Sequence, residues 1–141
     1  MKKWCILAVA LGMAMPTFAL DKNDVGEYVL LNKQGQTTSI QMKFFLRGSQ
    51  WMMDGKRGDE AWKPVCHATG DCRLVASSAA KVAEYKTYLP QSLQQNPLSC
   101  VENKAFAFCH MSDKANPMLR AYWWLPLVAA KGDAIPVNRL R

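Results

Sequence analysis

Two short stretches carry the side chains best suited to chemistry. Pro64 to Cys72 reads PVCHATGDC, with His67 beside Cys66, and a second Cys-His pair follows at Cys109-His110. Such residues can bind a metal, supply a thiolate nucleophile, or join as disulfides. A Cys2His2 metal site would need Cys66, His67, Cys109 and His110 to converge. Adjacent residues on a strand point to opposite faces, which works against that set. The spacing matches no zinc finger or ribbon. Copper would draw on Met52, Met53, His110 and Met111, but no Met-x-Met or His-x-His repeat is present. No metal and no other cofactor is expected.

The redox compartment decides between thiolates and disulfides. Lys2 and Lys3 open the chain, an apolar run follows from Trp4 to Met15, Pro16 breaks it, and Thr17-Phe18-Ala19 offers a small-residue cleavage site. This is the order of a secretory signal peptide, residues 1–19, with Leu20 as the mature N-terminus. The run is short for about 30 Å of hydrocarbon, so no stable membrane span is expected after cleavage. The short, lysine-led leader points to a bacterial periplasm. Cys5 leaves with it. Cys66, Cys72, Cys100 and Cys109 remain, an even set in an oxidising space. The sequential pairing, Cys66–Cys72 with Cys100–Cys109, is the favoured one. Gly70 suits a turn in the first loop, and Glu102-Asn103-Lys104 suits one in the second. A crossed Cys66–Cys109 link stays open at this stage.

These residues must be positioned by a single domain, residues 20–141. Tyr28–Leu31 reads as a strand, residues 32–35 as a turn, and Ile40, Met42, Phe44 and Leu46 alternate with Ser39, Gln41, Lys43 and Phe45 in period two. Gln50–Asp54 reads as a third strand and residues 54–60 as a polar loop. Residues 62–66 and 72–76 are expected to form a hairpin clasped by the first disulfide. One helix is expected from Ser77 or Ser78 to Pro90, with Ala79, Val82, Ala83 and Leu89 inward. Lys104–Met111 and a hairpin over 119–130 complete the pattern, with a turn at 131–133. The expected fold class is α+β, mostly β: a twisted antiparallel sheet or partly open barrel with one packed helix and two disulfides.

Functional motifs are sparse. There is no nucleophile elbow, zinc-protease helix, phosphate loop or dinucleotide fingerprint. The net charge of +7 falls to +5 without Lys2 and Lys3, and the cations are dispersed among acids. That distribution argues against nucleic acid and suits a protein partner with an acidic surface. A leader, a small β-rich domain and two disulfides resemble, in outline only, the periplasmic lysozyme inhibitors and the immunity proteins that neutralise toxins. No motif carries residues across from either.

The expected function is therefore a protein-binding module, such as an inhibitor or immunity protein that blocks a toxin or hydrolase. It is not expected to be an enzyme. The alternative is a periplasmic binder of small ligands or cell-wall glycans, with an enzyme of unrecognised type as a third reading. Candidate contact residues are Lys56, Arg57, His67 and Asp71 on expected loops, with Trp123 and Trp124. As strand neighbours, those two tryptophans must face opposite sides.

Overall fold

The computed structural model describes residues 20–128 and 133–141. The expected signal peptide and most of the 129–133 stretch lie outside them. Nine strands form one antiparallel sheet: β1 (Gly26–Leu31), β2 (Thr37–Arg47), β3 (Gln50–Arg57), β4 (Lys63–Cys66), β5 (Val75–Ala76), β6 (Leu98–Glu102), β7 (Phe106–Ser112), β8 (Arg120–Pro126) and β9 (Ile135–Arg139). Their order across the sheet is β4-β3-β2-β1-β9-β8-β7-β6-β5. The sheet curls into a half-barrel. The first and last strands of the chain meet at its centre, in register from Tyr28↔Arg139 to Leu30↔Val137.

The period-two alternation of β2 folds as its sequence dictates. Met42 and Phe44 turn into the concave core with Tyr28, Phe108 and Tyr122, while Lys43 and Phe45 face out. Gly48 takes positive φ, 64°, in the two-residue turn that sets Arg47 opposite Gln50. The helix α1 (Ala79–Lys86) starts at Ser78, whose hydroxyl accepts the Lys81 N–H. It packs on the convex face of β6–β8, where Val82, Tyr85 and Leu89 meet Leu98, Trp123 and Leu125. Ala79 and Ala83 are exposed, so the inward residues of the helix are Val82 and Tyr85, with Leu89 following beyond its end.

The cysteines pair sequentially, Cys66–Cys72 and Cys100–Cys109. Cys100 and Cys109 are direct cross-strand partners of β6 and β7. The first bridge corrects one expectation. It does not clasp a hairpin, because β4 pairs only with β3 and β5 only with β6. β4 and β5 are the two edges of the sheet. The bridge therefore links one edge strand to the turn that leads into the other. Ala68 and Gly70 take positive φ, 65° and 56°, to make that short crossing. Each loop is short, so each bridge contributes about 2–3 kcal/mol in the chain-entropy picture.

Candidate functional site

Six strands carry inward side chains toward one end of the half-barrel and leave space between them. Met42, Met53 and Phe106 are buried at the base of this cup, and half-buried Trp124 stacks on Phe106 with ring centroids 4.0 Å apart. Leu30 lines the wall. Ile40 and Val65, 37% and 48% exposed, form the lip. The cup has a volume of about 790 Å³, within the range of small-ligand sites.

Charge is confined to the rim. Lys56, Arg57 and Lys104 stand there with Glu60 and Asp71. Lys104 and Asp71 pair at 3.4 Å, both well exposed, so solvent screens that pair. Lys56 lays its ammonium over the Trp62 ring at 4.8 Å, and Lys43 reaches the same ring at 4.7 Å. An aromatic face attracts a cation without neutralising it. Lys56 is thereby held on the outer face with Lys43, so Arg57 is the β3 cation that stands at the lip, beside Glu60.

The sequence candidates divide cleanly. Lys56, Arg57, Asp71 and Trp124 line this one cup. Lys56 and Arg57 are not on a protruding loop. The β2 strand is long enough to give them partners, Gln41↔Lys56 and Ile40↔Arg57, so β3 extends through Arg57 and the turn begins at Gly58. His67 is held elsewhere: its Nε2 lies 2.6 Å from Asp54 Oδ1, and Phe45 meets its ring edge-on. Trp123 packs under the helix, 9% exposed, and its Nε1 finds no acceptor. It is a packing residue, and Trp124 is the tryptophan on the concave side. Four sulfurs are taken up in disulfides, and the two histidines are apart, each against its own carboxylate.

The opposite end holds a polar cluster that sequence patterning does not reveal. Asp24 is fully buried and its carboxylate accepts four hydrogen bonds. Oδ2 takes the Asp21 N–H at 2.9 Å and His110 Nδ1–H at 2.8 Å. Oδ1 takes Arg120 Nη1 at 2.7 Å and the Tyr122 hydroxyl at 2.8 Å. An ionised carboxylate offers about four lone-pair positions, so this one is satisfied. Burial opposes its charge, but the His110 bond, the Asp21 amide and the Tyr122 hydroxyl outweigh that and bring the carboxyl from 3.8 down to about 2. Arg120 also grips Asp21 through both carboxylate oxygens. Arg139 donates to the carbonyls of Asn23 and Val25. The cluster ties residues 21–25 across the barrel end. The one sequence cue was an acid, Asp24, near a short turn at Lys22–Asp24, and nothing marked it as buried.

Chemically, the two ends differ. The carboxylate at the closed end is saturated by protein donors. The cup offers apolar surface, one half-buried indole and a charged rim, which is binding chemistry. Among the described residues no helix is long and apolar enough to cross a membrane, and the two disulfides fit an oxidising compartment. Comparison with known protein families, with curated proteins and with solved structures returns no match.

Proposed function

We propose that the protein is a binding module that works through the open end of the half-barrel, blocking the partner it holds. The observation that carries this reading is the convergence of Lys56, Arg57, Asp71 and Trp124 on one apolar cup. An unfilled apolar concavity rimmed by polar groups is the usual form of an interaction site. The Cys66–Cys72 disulfide lines it and fixes β4 and the adjoining turn, so less ordering cost remains when it binds. Arg57 at the lip and Lys56 on the adjoining outer face favour a partner protein with an acidic surface, such as a toxin or hydrolase that the module would inhibit.

The test is affinity capture from a periplasmic extract with wild-type protein and with the Lys56→Glu/Arg57→Glu double variant, followed by mass spectrometry. Enrichment of a partner by wild type and its loss with the variant supports the reading. A partner retained equally by both removes the open end from the interface. The cup volume favours a second reading, a small ligand of apolar character, which saturable quenching of tryptophan fluorescence would register.

A further inference from the structure

The chemistry of the cup narrows what can enter it. Its interior offers almost nothing for a polar guest to bond. Leu30, Met42, Met53, Val65 and Phe106 present hydrocarbon and thioether. The nearby Asn103 amide is already spent: Nδ2 donates to Cys72 O, and Oδ1 accepts the Ala105 and Phe106 N–H groups. A sugar or a peptide backbone seated here would lose its water without replacement, at about 1–3 kcal/mol for each orphaned group. A hydrocarbon chain has no such penalty, and about 0.8 kcal/mol is gained per CH₂ buried. Met42 and Met53 are unbranched and polarisable, which lets the base of the cup adapt to a flexible guest.

Charge and shape supply the rest. Arg57 stands at the lip, where the polar head of a chain inserted tail-first would come to rest. A guanidinium fork matches a carboxylate or phosphate. The exposed apolar residues Ile40 and Val65 flank the opening, whereas the most exposed ones, Met118 and Leu119 at 86% and 59%, sit in the loop between β7 and β8, which is not part of the cup. Apolar exposure is thus divided between separate places and does not form one face against which a bilayer would lie.

We propose that the cup binds the hydrocarbon tail of a single-chain anionic amphiphile, tail inward and head at Arg57. This rests on the open end being the working surface. It goes further in naming the guest.

Purified protein is titrated with dodecanoate below its micellar range, and tryptophan fluorescence is followed. Dodecyltrimethylammonium, dodecanol and phosphatidylglycerol vesicles serve as comparison arms. The expected result is a saturable one-site response to dodecanoate, at least ten-fold weaker for the cationic amphiphile and intermediate for the alcohol. Trp124→Phe should remove most of the signal change. Val65→Glu, at an exposed lip position, should abolish binding while leaving the melting temperature near that of wild type. Arg57→Glu should weaken dodecanoate about ten-fold and leave dodecanol unchanged.

Absence of a saturable response overturns the proposal. So does an undiminished response in Val65→Glu, equal affinity for the cationic chain, or a response to vesicles alone. If dodecanoate fails but partner capture still depends on Lys56 and Arg57, only the guest is wrong. If dodecanoate binds but capture ignores those residues, the amphiphile site stands and the protein-partner reading falls.

Discussion

Tyr28, Phe44, Phe108 and Tyr122 fill the concave face at one end of the half-barrel; Leu30, Met42, Phe106 and Trp124, two residues along the same four strands, line the empty cup at the other. The closed end is an aromatic stack. Phe44 lies on Phe108 at 3.9 Å, and Tyr28 meets Phe108 and Tyr122 at 4.9 and 4.8 Å. Above it, Leu20 and the Asp24 cluster form a lid made from the N-terminal segment. The open end has side chains of comparable kind but, among the described residues, no segment folded over them. One sheet thus supplies stability at one end and accessible apolar surface at the other. The difference arises from what covers the sheet and not from the strands themselves.

The largest expected effects test the closed end. Asp24→Ala removes the acceptor of four hydrogen bonds and leaves Arg120 and His110 facing a gap. A loss of about 3–5 kcal/mol is expected in urea unfolding. A loss below 1 kcal/mol would mean that the lid does not hold the fold. Trp123→Ala should cost a similar amount, about 3–5 kcal/mol, by opening a cavity under the helix. Trp124→Ala at the cup should cost less than half of that, since its ring is already partly in water. Equal costs for the two would erase the distinction between filled and unfilled ends.

Acid should act on the closed end next. The Asp24 carboxyl is depressed from 3.8 to about 2 on folding. Its contribution, about 2 kcal/mol, is therefore complete above pH 3.8 and is lost as pH falls toward 2. Stability measured from pH 5 to pH 2 should fall more steeply in wild type than in Asp24→Asn. Parallel curves would show that other carboxyls govern the acid limb. The smallest effect belongs to the open end. Lys56→Glu/Arg57→Glu should change stability by about 0.5 kcal/mol or less while abolishing partner capture. A large drop in melting temperature would mean these cations hold the sheet and do not serve the rim.

The sequence revealed those features that depend on local pattern. Alternation from Ile40 to Leu46 marked β2 and its inward face, Ser78 marked the start of the helix, which ends at Lys86 short of the expected stop at Pro90, and short Cys-to-Cys loops indicated the pairing. The adjacent tryptophans did separate to opposite faces. Features that depend on distant partners were not legible. β4 and β5 are close in sequence and were expected to pair, yet they became opposite edges because each found a better neighbour in β3 and β6. Lys56 and Arg57 looked like loop residues because DGKRGDE is polar, but β2 is long enough to hold them in register. The Asp24 cluster unites residues more than eighty positions apart, Asp24 with His110 and Arg120, and no local window contains both sides. The cup was half legible: four of its rim and wall residues were candidates for other reasons, but its emptiness is a three-dimensional fact.

The central ladder between β1 and β9 has a bearing on the timing of assembly. Strands β1 to β4 form one run of neighbours and β5 to β9 another, and only the pairing of Tyr28–Leu30 with Val137–Arg139 joins them. A chain made from its N-terminus onward must wait for almost its last residues before its first strand gains that neighbour. During this wait β1 presents an unpaired edge, the form of backbone most prone to pairing with another chain. Non-local closure of this kind is also slow. Loss of residues 135–141 should therefore do more than shorten the protein: it would leave two half-sheets without the backbone ladder between them, joined by side-chain contacts and one disulfide alone, and nascent chains more prone to associate with one another.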